Sequence, residues 1–360
     1  MTPTTDPGDR DDAPTLDRVA ALGGGHGLFS TLRAARRAAA SVTAVVTVAD
    51  DGGSSGRMRR ELGSLPPGDL RMALAALTED TPRGRLWERT LQHRFAGHGA
   101  LAGHAVGNLV LTGLAEVMGD HVAALDELAV LLGIRGRVLP MSPEPLDLEA
   151  EVSGLGEDPR EVTAVRGQVA VASTPGQVRR VRLIPGDAPA TEPAVEAVLD
   201  ADVVTLGPGS WFSSVIPHLL VPGIDAALDR TDALKVLILN LVSEPGETSG
   251  FSMERHIHML RQHCPSLRMD VTVVDRSTVS DARERRALER AAGQLGARVI
   301  YRDVRADDDR GRWSDRHSPE KLARVLREFS GPVDALPAEL PDGAADGPSE
   351  AAPDGEPTGR

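Results

Sequence analysis

A single cysteine, Cys264, leaves no partner for an internal disulfide and rules out a multi-cysteine zinc site, so it is expected as a small buried core residue. Lysine is nearly absent as well: Lys235 and Lys321 are the only ones, and every other basic residue apart from histidine is an arginine. A Walker-type phosphate loop sets a lysine directly after its glycines, and no glycine run here has one, which argues against a P-loop kinase or ATPase. Arginine must then supply any cationic help to a phosphate, through a planar fork rather than a point charge. Aromatic residues are scarce, so Trp211 and Phe212 are expected to pack over a sheet edge rather than stack on a base. No stretch reaches the roughly 18 consecutive apolar residues of a membrane span. Met1 to Pro14 lacks the basic-then-apolar order of a secretory signal, and a cytoplasmic protein is expected.

The formal net charge of −13 is concentrated at the ends: residues 1–15 carry −3 and residues 334–360 carry −6, leaving about −4 for everything between. That residue is ordinary for a soluble domain, and no nucleic-acid partner is expected. Both ends are rich in Pro, Gly, Ala and acid without apolar periodicity, which predicts disordered tails over 1–15 and 331–360 around one domain spanning 16–330.

Within that domain, Val19 to Leu22 is an apolar run that enters Gly23, Gly24, Gly25, His26 and Gly27, after which Leu28 to Ala40 reads as a helix. Val42 to Ala49 is β-branched and apolar almost throughout, as suits a strand buried on both faces of a parallel sheet. Asp69 is placed to cap a helix from Leu70 to about Leu77. Alternating short runs from Arg137 to Ile184, including Val165 to Ala172 and Val178 to Leu183, predict a small β-rich insertion. Buried strands then recur at Asp202–Leu206, Lys235–Leu241, Met269–Val274 and Arg298–Tyr301, with helix-length segments between them. The fold expected is α/β, a doubly wound, mainly parallel Rossmann-like sheet carrying the β-rich insertion.

Glycines directly after a strand let the backbone approach a ligand, and the helix start beyond them presents unpaired N–H groups that suit phosphate. Gly24, Gly25, His26 and Gly27 form one such loop, and Gly207, Pro208, Gly209 and Ser210 repeat the plan after a later strand. Gly25, Gly27 and Ser30 also approximate dinucleotide-binding spacing with Asp50 at roughly the expected distance, so an NAD-binding oxidoreductase stays open. The next loop weakens it, because Asp50 and Asp51 are adjacent acids followed by Gly52, Gly53, Ser54 and Ser55. Paired carboxylates at a strand end can hold Mg²⁺, with Asp50 the first candidate, while hydroxyls and glycine amides beside them can take phosphate oxygens. In GHAVGN, His104 and Asn108 stand four apart at a helix entrance and could face one ligand. His256 and His258 are two apart and are expected to be structural.

The stretches ALGGGHGL, VTAVVTVADDGGSSGRMRRELGSLPPGDLRMALAAL, GHAVGNLVL and LGPGSWFSSVIPHLLVPG occur in this order over about residues 19–223. Together they resemble the CofD/YvcK family, specifically its YvcK or gluconeogenesis-factor branch, with weaker likeness continuing through RHSPEKLARVL. His26 stands where threonine is commoner in the first loop. The resemblance implies a doubly wound fold with a small inserted subdomain, often homodimeric, that binds UDP-sugars, UDP-N-acetylglucosamine in particular. It also implies an unidentified regulatory protein partner and roles in cell shape, peptidoglycan precursor supply and growth on gluconeogenic carbon, without turnover of the ligand. The CofD branch instead transfers a phospholactyl-type group from a guanosine diphosphate donor to a deazaflavin with Mg²⁺, a 2-phospho-L-lactate transferase-like alternative. By the same resemblance Gly24, Gly25, Gly27, Gly207 and Gly209 cradle a diphosphate, Asp50 and Asp51 are candidate metal or acceptor-side acids, and Asn108 lines the cleft.

Overall fold

Seven strands, each apolar where it crosses the core, make one parallel sheet: Leu16–Gly23 (β1), Ala39–Val46 (β2), Arg137–Pro140 (β3), then Val203–Leu206 (β7), Leu234–Ile238 (β8), Val271–Asp275 (β9) and Arg298–Arg302 (β10). Every neighbouring pair runs parallel, in the order β10-β9-β8-β7-β1-β2-β3. The chain therefore leaves β1 in one direction, through β2 to β3, and later returns beside β1 to build outward the other way. The strand order reverses between β1 and β7, the switch point beyond whose carboxyl ends ligand crevices form in such sheets. This computed structural model describes residues 14–158, 160–244, 247–307 and 313–339.

Helices cover both faces of the sheet. Gly25–Ala38 (α1) links β1 to β2, and Gly53–Leu62 (α2), Pro67–Leu77 (α3), Pro82–Gln92 (α4), Val106–Met118 (α5) and His121–Leu132 (α6) lie between β2 and β3. Glycine sets several of their ends: α2, α5 and α6 stop at Gly63, Gly119 and Gly133, all left-handed with φ of +66°, +70° and +66°. Asp147–Ser153 (β4), Val162–Arg166 (β5) and Gln177–Ile184 (β6) form a separate antiparallel sheet in the order β5-β4-β6, with Gln168–Ala172 (α7) between β5 and β6. Beyond them come Glu192–Leu199 (α8), Ile216–Leu219 (α9), Pro222–Arg230 (α10), Met253–His263 (α11), Ala282–Gly293 (α12) and Pro319–Glu328 (α13). Arg305–Asp307 (β11) and Trp313–His317 (β12) pair antiparallel ahead of α13. Among the described residues, no single helix is long and apolar enough to cross a membrane.

The doubly wound sheet is as expected, with three boundaries corrected. The β-rich insertion begins at Asp147 rather than Arg137, because Val138 and Leu139 are apolar enough to join β2 as the edge strand of the parallel sheet. Val165 to Ala172 is not one strand: Gly167, at φ +100°, ends β5 and starts α7. Residues 331–339 are held against β10, where the Tyr301 N–H donates to the Ala338 carbonyl at 2.7 Å and Arg298 donates to the carbonyl of Val333. The rest of the expected tails, 1–13 and 340–360, lies outside the described residues. Trp211 and Phe212 are buried side by side in the core, and His256 meets Trp211 edge-on, so all three serve packing.

Candidate functional site

The β1 and β7 loops touch at the switch point. A Cβ on Gly27 would stand 2.1 Å from the Pro208 carbonyl oxygen, so only glycine lets the start of α1 pass this close to the second loop. Across from it, the side-chain amide of the buried Asn240 donates to the Gly209 carbonyl and accepts from its N–H, each at 2.9 Å. Gly207 and Gly209 take φ of +76° and +144°, which turns the chain out of β7 and back toward α1.

Over these loops lie two adjoining cavities of about 250 and 270 Å³, which share His26, Gly27, Gly209 and Glu244 in their walls. The first is completed by apolar Pro208, Leu241 and Val242, by Ser30 and Asn240, and by Asp315, Arg316 and His317. The second is lined by Thr47, Asp50, Asp69, Gln168, Ser210 and Ser213 together with Gly24 and Gly25. The junction of the two lobes is the N-terminus of α1, where first-turn N–H groups lack helical partners and the helix dipole favours an anion.

Electrostatics differ between the lobes. Asp69 lies deep in the protein with part of its surface on the second cavity, and its pKa is pushed up to about 7 by loss of solvent and then by the Asp50 charge, against the Gly25 N–H and Arg71. Asp50 is raised as well, chiefly by desolvation, against hydrogen bonds from Gly52 and Ser55. Glu244 rises to about 7 because it is desolvated and faces Glu247. For His26, desolvation in the cleft and then the charges of Arg316 and Arg71 lower the pKa, which keeps its imidazole neutral at neutral pH. The second lobe thus gathers carboxylates and hydroxyls without lysine or arginine, while the first sets Arg316 among Asp315, Glu244 and an apolar wall.

Of the residues singled out in the sequence, Gly24, Gly25, His26, Gly27, Asp50, Pro208, Gly209 and Ser210 line these cavities. Asp51 does not: its carboxylate accepts from the Val169 N–H at 2.9 Å and caps α7, so adjacent acids are divided between the cleft and the insertion. Gly52 donates to Asp50 Oδ1 at 2.9 Å, and Ser55 bonds the same carboxylate, so both support Asp50 from behind. Gly53 opens α2 at φ +45°. Gly207 is buried behind the loop it shapes. Ser54, His104 and Asn108 are buried in a network of their own, in which Ser54 Oγ lies 2.9 Å from His104 Nδ1 and accepts from Asn108 Nδ2 at 3.0 Å. That network ties α2 to α5, and none of the three lines either cavity.

The sequence reading missed Asp69, Asn240, Glu244 and Arg316. Asp69 was expected to cap its helix, yet α3 begins at Pro67 and turns Asp69 into the cleft from its first turn. Among the described residues no group of three or more His, Cys, Asp or Glu is arranged to hold a metal. Asp50 and Asp69 share one lobe, however, and two carboxylates fit Mg²⁺ when water and substrate oxygens complete its shell.

A family profile described as 2-phospho-L-lactate transferase CofD matches residues 19–306. The chain belongs to this CofD family. A Mycobacterium tuberculosis relative, provisionally named gluconeogenesis factor, is 60% identical over 310 residues, covering 86% of this chain and 89% of its own length. The gluconeogenesis factor of Halalkalibacterium halodurans is 40% identical over 263 residues, covering 73% and 79%. A crystal structure of a UPF0052-family protein from Bacillus halodurans superposes with a TM-score of 0.75 at 36% identity, over 86% of this chain and 98% of that one. Within the CofD family, these relatives place the chain on the gluconeogenesis-factor side.

Proposed function

We propose that this chain is a regulatory protein of the gluconeogenesis-factor type that senses a UDP-sugar, UDP-N-acetylglucosamine foremost, in the cleft between the β1 and β7 loops. The observation that carries this reading is the placement of the α1 amides at the junction of two lobes of unlike character. A diphosphate belongs at that junction, beside Arg316 and the first-turn amides of α1 that follow Gly25, whose own N–H bonds Asp69. A base then extends along Pro208, Leu241 and Val242, and a sugar meets the hydroxyls and carboxylates of the second lobe. Binding shifts the chain toward a conformation read by a partner protein, so no turnover is needed. In the cell this role connects to cell shape, peptidoglycan precursor supply and growth on gluconeogenic carbon. Isothermal titration of the full chain with UDP-N-acetylglucosamine should give micromolar-class binding, and the ligand should remain intact over hours of incubation. A folded protein that binds no UDP-sugar would sink the proposal.

A second reading is favoured by the Asp50 and Asp69 pair and by the family description. In it the chain is a transferase acting on a nucleotide-diphosphate-linked donor. Mg²⁺ held by Asp50 and Asp69 would neutralise charge on the departing phosphate. The glycine loops orient the diphosphate, and the walls of the cleft exclude water. Asp50→Asn should then abolish transfer while the protein stays folded; an unchanged rate removes this role.

A further inference from the structure

Every charged side chain that lines the second lobe is an acid. Asp50 and Asp69 act on each other, while Glu244 faces Glu247 and bonds Ser210; Ser213 and Gln168 share the lining, and neither lysine nor arginine takes part in the wall. These acids are held by the fold rather than gathered by chance. Gly24 has no Cβ where one would sit 2.5 Å from Asp69 Oδ2, and Gly68 leaves room for Ser55 and Asp50, whose Oγ and Oδ2 would be 2.3 and 3.1 Å from an added Cβ. Ser213 Oγ donates to Glu247 Oε1 at 3.1 Å and lies 2.5 Å from Ser210 Oγ, so the hydroxyls are already oriented by a buried carboxylate. A carboxylate accepts from a ligand hydroxyl and repels a ligand anion, and both effects are strengthened where water is scarce.

We infer that the second lobe selects an uncharged polyhydroxyl substituent on the nucleotide and rejects an anionic one, with Asp50, Asp69 and Glu244 setting the selection. This rests on the sugar-nucleotide reading above and goes beyond it, because it specifies which sugars the cleft admits. A neutral hexose or N-acetylhexosamine offers hydroxyl donors to the acids and hydroxyls of the lobe. A uronic acid, above the pH at which Asp69 and Glu244 release their protons, places a carboxylate among three others in a partly desolvated space.

UDP-glucose and UDP-glucuronic acid test this directly, since they differ only in a hydroxymethyl group against a carboxylate. The full chain is titrated calorimetrically at about pH 8.5, where Asp69 and Glu244 have lost their protons, with UDP, UDP-glucose and UDP-glucuronic acid, once in EDTA and once in Mg²⁺. UDP-glucose should bind at least about tenfold tighter than UDP-glucuronic acid, the lower end of what like-charge juxtaposition costs at an interface. Glu244→Gln and Asp50→Asn should each narrow that ratio, chiefly by improving the uronic acid. If UDP binds but the two sugars bind within about threefold of each other, the selection is overturned while the nucleotide reading stands. Recovery of UDP-glucuronic acid binding by Mg²⁺ would also overturn it, because the acids would then be cation ligands. Failure of UDP and both sugars to bind a folded chain removes the nucleotide reading and the selection together.

Discussion

The side-chain amide of Asn240 grips the backbone of Gly209 twice, donating to its carbonyl and accepting from its N–H at 2.9 Å each. This pair fixes the β7 loop from the end of the neighbouring strand β8, which no local signal in Gly207 to Ser210 requires. Asn240→Ala leaves the Gly209 amide and carbonyl without that partner, at a cost of about 1–3 kcal/mol if water does not replace it. Asn240→Asp keeps the acceptor but sets a carboxylate against the Gly209 carbonyl, so it should not rescue the loss. Urea unfolding, followed by UDP-sugar titration of the folded variants, checks both; an intact affinity in both variants would show that the loop needs no clamp.

Gly27→Ala brings a methyl group to 2.1 Å from the Pro208 oxygen and 2.8 Å from the Gly209 Cα, both backbone atoms of the opposing loop. Overpacking of this kind costs about 1–3 kcal/mol, and here it also displaces the cradle itself. Gly25→Ala meets no neighbouring atom and only loses its φ of +59°, a smaller penalty of about 1–2 kcal/mol. UDP-sugar affinity should therefore fall further in Gly27→Ala than in Gly25→Ala, and the reverse order would contradict the close approach.

The raised carboxylates give stability a definite sign with pH. Asp69 releases its proton near pH 3.8 when unfolded and at about 7 when folded, so between those values the folded chain holds more protons. Stability contributed by this group falls as pH rises through that window and levels off above it, with a slope of up to about 1.4 kcal/mol per pH unit. Glu244, raised to about 7 from 4.5, acts in the same direction. Asp69→Asn should flatten the profile of urea midpoints between about pH 5 and 8. Parallel profiles for variant and parent would show that Asp69 titrates normally.

Asp51 serves the insertion, not the cleft. Asp51→Ala removes the acceptor of the Val169 N–H, and loss of such a helix-start bond costs about 0.5–2 kcal/mol. Amide exchange of α7 should quicken while UDP-sugar affinity changes less than in Asp50→Asn. Equal losses of affinity would place both acids on the ligand.

Order along the chain was legible wherever neighbours in sequence are neighbours in space. Val19 to Gly27 and Val203 to Ser210 read as strand, glycine loop and helix entrance because backbone geometry and burial act locally there, and their meeting at a reversal of strand order follows from topology. The sequence by itself thus determined the parallel fold, the family and the two loops. Only the tertiary structure decided how the polar residues were sorted. Asp50 faces the cleft and Asp51 the insertion. His104 and Asn108 turn to Ser54, while Asp69, the 240–244 loop with Asn240 and Glu244, and Arg316 arrive from three separate segments. A side chain's direction depends on the neighbours that packing brings to it, and those lie too far apart in sequence for spacing to reveal them.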